Sequence, residues 1–140
     1  MATVASRLNL DRTNAKVLTV AGTNGKGSSV AFSEAILIKL GIAVGTYTSP
    51  HILNFNERIK INGNPVSDKD ICEALEAIRD VLCDTSLTYF EIATIAALYI
   101  FKSYGLDVLI LEVGLGGRLD AVNILDPDVS LITSIDIDHT

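Results

Sequence analysis

The segment from Lys16 to Ser29 limits what this chain can fold into more than any other part of it. KVLTVA, Lys16 to Ala21, is rich in β-branched residues and closed by Gly22, and a helix is expected from Lys26 to Leu40, ended by Gly41. Between them stands Gly22-Thr23-Asn24-Gly25-Lys26-Gly27-Ser28. A strand that passes through glycines straight into a helix can turn successive backbone N–H groups inward on an anion, and the helix N-terminus adds partial positive charge. Lys26 supplies a point charge for outer phosphates. The segment therefore suits nucleotide phosphates, with Thr23, Asn24, Gly25, Lys26, Gly27 and Ser28 as the binding residues. Its spacing departs from the general G-x-x-x-x-G-K-[ST] pattern, because Gly22 is too close to Gly25 and Gly27 separates Lys26 from Ser28. Without the lysine, such a turn would read as a plain connector.

The rest of the chain alternates short apolar runs with helical periods, and no internal repeat interrupts it. Ile42 to Thr48 reads as a second strand, and Ile52 to Asn62 as a polar loop running into a short strand and the Asn62-Gly63 turn. Ser67, followed three residues later by Asp70, caps a helix whose Ile71, Leu75, Ile78 and Leu82 recur at helical spacing. Tyr89 to Tyr104 is a third helix, apolar on most sides and so buried. Asp107 to Val113 and Val129 to Ile135 are near-continuous apolar strands of the kind sandwiched between helix layers. The sum is an α/β fold, a mostly parallel open sheet with flanking helices, P-loop NTPase-like. In such sheets chemistry collects at the carboxyl ends of the strands.

Composition narrows the function. The 140 residues are 49% hydrophobic and 20% charged, enough for one globular core. Eleven Lys and Arg against 17 Asp and Glu give a net charge of −6, and no two basic residues are adjacent, which argues against nucleic acid as a partner. The apolar stretch Ile92 to Phe101 falls short of the roughly 20 residues that span a bilayer, so no membrane partner is expected. Cys72 and Cys83 lie on one expected helix, about 16 Å apart at its rise per residue, which excludes a disulfide between them. With no secretory leader at the start, a cytoplasmic location fits.

Polar clusters fall where the fold rule places them: Thr48-Ser49-Pro50-His51 after the second strand, Glu112 to Asp120 after the Asp107 strand, and Asp136-Ile137-Asp138-His139 after the last. Glu112 stands in the place of a Walker-B acid behind an apolar strand. Each has a plainer reading alone: Ser49 as the start of a turn, Glu112 as a cap on a sheet edge, and His139 as a solvated end residue.

Six segments then carry a resemblance: AGTNGKGSS at Ala21, TSPH at Thr48, FNERI at Phe55, LTYFE at Leu87, LEVGLGGRLDAVN at Leu111 and SIDIDHT at Ser134. In this order they resemble the folylpolyglutamate synthase and dihydrofolate synthase family of the Mur-ligase superfamily. The resemblance implies ATP phosphates on Thr23, Asn24, Gly25, Lys26 and Gly27, and magnesium on Ser49, Glu112 and His139. It implies contacts with the pterin-bearing substrate from Thr88, Tyr89, Phe90, Glu91, Leu119, Asp120 and Ala121, and a mobile loop at Asn56, Glu57 and Arg58. Lys26, Glu112 and His139 would be catalytic. The alternative for Tyr89 and Phe90 is core packing, and for Glu91 a complement to the helix dipole. Because His139 brings nitrogen to an otherwise oxygen-based set, manganese would be tolerated as well. His51 is open between orienting the Ser49 loop and touching substrate.

The resemblance further implies an ATP-dependent ligase that joins L-glutamate to dihydropteroate or folate through an acyl phosphate. Intact LTYFE and LDA elements favour a bifunctional bacterial-type enzyme, a monomer at full length. Residues 1–140 would form the amino-terminal part of the ATP-binding (Mur-ligase central) domain, with the remainder, a carboxyl-terminal domain and a modified lysine beyond Thr140, and would not ligate glutamate alone. Two other readings stay open: a different P-loop ATPase or phosphotransferase, and a non-catalytic nucleotide-binding fragment.

Overall fold

The computed structural model describes residues 1–117 and 119–136. In chain order the elements are α1 (Ala2–Arg7), β1 (Lys16–Ala21), α2 (Lys26–Lys39), β2 (Val44–Tyr47), a 3-10 turn (Phe55–Arg58), β3 (Ile59–Ile61), β4 (Asn64–Pro65), α3 (Asp68–Leu82), α4 (Tyr89–Lys102), β5 (Val108–Glu112), a second 3-10 turn (Ala121–Ile124) and β6 (Val129–Ile132). One six-stranded sheet has the order β4-β3-β2-β5-β1-β6. The four strands from β2 to β6 run parallel, with Leu18 opposite both Ile110 and Val129, whereas β3 and β4 close one edge antiparallel. The expected architecture is the one found.

The register sorts side chains between two cores. Leu18 and Val20 of β1 meet Val30 and Leu37 of α2, Val44 of β2 and Ile110 of β5 on one face. Val17, Tyr47, Leu109 and Leu111 point to the other, where α4 lies on the sheet, α3 on α4 and α1 on α3. Ile110 and Leu111 are both wholly buried, each contributing roughly 1.5–3 kcal/mol of apolar transfer free energy. The helix starts follow local chemistry. Ser67 and Asp70 form a reciprocal capping box on α3, Thr88 and Glu91 form another on α4, and α2 begins from Gly25 at φ +85°, a conformation that excludes most side chains.

Several expectations are corrected. β6 pairs only with β1 and ends the sheet, so Val129 and Ile132 are exposed rather than sandwiched. On α3 the buried residues are Ala74 and Ile78, and Leu75 is exposed because it falls to the side of the stripe facing α4. Cys72 and Cys83 are free, in line with the excluded disulfide, and both are exposed. The sequence gives no sign of α1, whose Val4 and Ala5 are wholly buried. No helix among the described residues is long and apolar enough to cross a membrane.

Candidate active site

The strands β1, β2 and β5 all deliver their carboxyl ends to one side of the sheet, where a cleft of about 960 Å³ opens. Gly22, Thr23 and Lys26 line it from the β1–α2 loop, Ser49 and Pro50 from the segment after β2, Tyr89 and Phe90 from the first turn of α4, and Gly114 to Gly117 with Asp120 from the segment after β5. Thus elements far apart in sequence converge, as the fold rule requires.

The β1–α2 loop is held by backbone and by its own side chains. Lys26 Nζ donates to the Gly22 carbonyl at 2.8 Å, which arches the lysine back over the loop at the cleft wall. The Thr23 hydroxyl donates to the Asp136 carbonyl and accepts from the Asp136 N–H, each at 3.1 Å, and Asn24 pairs with Ser134 across an isolated bridge. Thr23 and Asn24 therefore fix the loop to the chain after β6. Gly25, Gly27 and Ser28 lie exposed at the start of α2, and a Cβ at either glycine would meet nothing within 4 Å. That open space above a helix N-terminus is what a phosphate needs.

Glu112, at the end of β5, is only 4% exposed. Its Oε2 accepts the Ser49 N–H at 3.1 Å, which brings the expected metal residues Ser49 and Glu112 side by side; the Ser49-Pro50 peptide is cis. Burial pushes the Glu112 carboxyl above its ordinary range, opposed by the Ser49 N–H and the Lys26 charge. A desolvated carboxylate with one N–H donor, next to a serine hydroxyl, is a hard-oxygen set suited to magnesium or manganese. His139, the third expected ligand, lies outside the described residues.

The residues expected to touch substrate gather at a second opening of about 540 Å³, lined by Thr88, Phe90, Glu91, Leu119, Asp120 and Ala121. Phe90 and Asp120 also line the first cleft, so the two are neighbours. Tyr89 faces the larger cleft and is 59% exposed, which sets aside core packing for it. Glu91 does cap its helix: its Oε2 accepts the Thr88 N–H at 2.7 Å. Leu119 is almost fully exposed. Asp120 organises the turn after β5, accepting from the N–H groups of Gly114, Leu115 and Val122 at 3.0, 2.9 and 3.1 Å.

The loop after Ser49 is organised by two residues. Glu57 accepts the backbone N–H groups of Ile52, Leu53 and Asn54, and these bonds, that of Ile52 foremost, hold its carboxyl below its ordinary range. His51 accepts from Arg58 Nε at 2.7 Å, a contact within this loop. Sequence reasoning missed Glu34, a buried acid of α2 that accepts from the Thr46 hydroxyl at 3.2 Å and lines a smaller pocket with Glu112 and Lys60. The available signal was a lone acid inside the apolar run Val30 to Leu37.

A mostly parallel sheet with a glycine-and-lysine loop leading from β1 into α2, and an acid ending the neighbouring strand, defines a P-loop NTPase-like fold. Comparison with known proteins narrows this class. No protein-family model matches the chain. It is 51% identical over 137 residues to the dihydrofolate synthase/folylpolyglutamate synthase of Buchnera aphidicola from Schizaphis graminum, and 48% identical to that of Escherichia coli K12, covering 98% of this chain in both cases. Among solved structures, E. coli FolC in complex with DHPP and ADP superposes with a TM-score of 0.96 at 47% identity, covering 99% of this chain and 33% of FolC. The Yersinia pestis bifunctional enzyme complexed with AMPPNP and Mn gives 0.96 at 52%, covering 99% of this chain and 34% of that one. The chain belongs to the dihydrofolate synthase/folylpolyglutamate synthase family, and it spans about a third of the length of the curated relatives it matches.

Proposed function

We propose that this chain is the amino-terminal part of the ATP-binding domain of a ligase that adds L-glutamate to dihydropteroate, to folates or to both, in the cytoplasm. The observation that carries the reading is the shared cleft: Lys26 and the β1–α2 loop form one wall and Tyr89 and Phe90 another, with Ser49 between them. That arrangement suits a reaction in which an aromatic acid and the end of a polyphosphate must meet.

In this reading the N–H groups of Thr23 to Ser28 and the Lys26 ammonium bind the phosphates of ATP, while Thr88, Phe90, Glu91, Leu119, Asp120 and Ala121 surround the pterin and Tyr89 its ring-bearing tail. Joining two anions requires that their repulsion be offset, and Lys26 with the helix N-terminus does so as charge spreads over the transferring phosphoryl. Ser49, Glu112 and His139 would hold a divalent ion, magnesium or manganese, which supplies further neutralisation of the phosphate oxygens. The acceptor carboxylate takes the γ-phosphoryl to give an acyl phosphate and ADP; the glutamate amine then displaces phosphate to form the amide. Relatives complexed with ADP, AMPPNP, Mn, DHPP and L-glutamate support this assignment.

The test is titration of the protein with AMPPNP in the presence and absence of Mg²⁺. Metal-dependent binding that falls about tenfold or more in Lys26→Ala is expected, as for loss of a charge-assisted contact. Equal binding by the variant, or binding indifferent to metal in both Glu112→Gln and the parent, overturns the reading.

A further inference from the structure

Arg58 takes no part in the reading above, yet its setting is unlike that of any other cation among the described residues. It ends the 3-10 turn before β3, is only 8% exposed, and forms no ion pair within the described residues. A guanidinium taken out of water without a carboxylate is costly unless something else repays its desolvation. Its neighbours orient it without neutralising it. Nε donates to His51 Nδ1 at 2.7 Å, and the guanidinium carbon stands 5.9 Å from the centroid of the Phe55 ring and 5.6 Å from that of Tyr89. Its charge is also felt at Tyr47, where it opposes the upward push of burial on the hydroxyl.

With Nε engaged by His51 and the Tyr47 hydroxyl also hydrogen-bonded to the guanidinium, the terminal nitrogens are held as a planar fork of the kind that matches a carboxylate. Arg58 lines the larger cleft together with Lys26, Ser49, Tyr89 and Phe90. The anion it would meet is not the nucleotide's, since the loop N–H groups and Lys26 already face the phosphates from β1. An anion beside Tyr89 and Phe55 is one carried on an aromatic body. We propose that Arg58 binds the carboxylate of the acceptor acid, the group to be activated, and that His51 is a positioning residue that holds Arg58 for it. The inference rests on the ligase reading and names the residue that selects an acid over a neutral analogue.

The experiment is calorimetric titration of the protein, loaded with AMPPNP and Mg²⁺, with dihydropteroate and with its primary carboxamide. The parent protein is expected to prefer the acid by about tenfold or more, the size of a charge-assisted bidentate contact. In Arg58→Gln the preference should shrink to within about twofold while affinity for the carboxamide stays at the parent level, a readout that a merely unfolded variant would not give. His51→Leu should lie between the two, because it frees the guanidinium without removing it, and Arg58→Lys should retain part of the preference. Equal affinity of the parent for acid and carboxamide, or an undiminished preference in Arg58→Gln, overturns the proposal while leaving the ligase reading intact. Binding of AMPPNP with no binding of either pteroyl compound overturns the pterin-acceptor reading and this inference with it.

Discussion

Gly22 is where the nucleotide loop leaves the sheet, and replacing it by alanine gives a worked test of how tightly that loop is held. Its φ of +134° belongs to a region essentially restricted to glycine, which by itself costs an alanine about 1–3 kcal/mol. An added Cβ would also collide with the Thr133 hydroxyl oxygen and stand 3.1 Å from Thr133 Cβ and 3.2 Å from the Ser134 carbonyl oxygen. Overpacking of this kind costs about 1–3 kcal/mol more. Gly22→Ala should therefore lose about 2–6 kcal/mol, a large part of the roughly 5–15 kcal/mol of a typical domain. Thr133→Ala separates the two contributions, because it removes the colliding oxygen at the expense of its 3.2 Å bond to the Ala21 carbonyl, about 0.5–1.5 kcal/mol. Urea unfolding of the parent, both single variants and the double variant should show a favourable coupling of about 1–2 kcal/mol, and AMPPNP affinity should recover in parallel. A Gly22→Ala loss below about 1 kcal/mol, or a cycle additive to within about 0.5 kcal/mol, would refute the steric argument.

Two further outcomes are expected. Asp120→Ala removes an acceptor used by three N–H groups, so the protein should lose about 2–3 kcal/mol and the amides of Gly114 and Leu115 should exchange faster with deuterium; unchanged protection at both would count against Asp120 as the organiser of that turn. Asp128 is held below its ordinary value of 3.8 by Lys16, at 2.8 Å, and by the Val17 N–H, so its contribution is present above that value and disappears as pH falls through the lowered one. Asp128→Asn should therefore unfold at lower urea than the parent at pH 7, and the gap should narrow as pH is lowered below 3.8; a gap of constant size on acidification contradicts the assignment.

The legible parts of the sequence were those set by neighbours in the chain. β1, α2 and the α3 capping box are visible because β-branched runs, Gly25 and the Ser67/Asp70 pair act over three or four residues, whereas the matching Thr88/Glu91 box on α4 was not read. Strand lengths were less so: the run from Ile42 to Thr48 holds no charged residue to mark its ends, but β2 spans Val44–Tyr47, where β3 and β5 lie alongside. α1 was invisible because ATVASR is too short to show a helical period and owes its burial to α3, some 70 residues away. Thr23, Lys26, Ser49, Tyr89, Phe90 and Asp120 gather at one cleft beside the strand ends, and His139 lies outside the described residues. What motifs missed were Glu34 and the setting of Arg58, since a buried acid and a buried cation are defined by what covers them. Tyr89 shows the same limit from the other side, an aromatic that opens a buried helix and yet faces a cleft.

The sheet order has a consequence for how this chain comes into being. β1 is synthesised well before its two partners, Val108–Glu112 and Val129–Ile132. Until most of the sequence has been made, KVLTVA is an apolar, β-branched ribbon with both edges bare, the kind of segment that pairs with whatever strand it meets. The bonds between Thr23 and Asp136 extend the delay to the nucleotide loop, since their closing contact spans 113 positions. The β1–α2 loop is thus among the last parts of the described fold to take shape, and interruption of synthesis before residue 108 would leave β1 with neither of its partners.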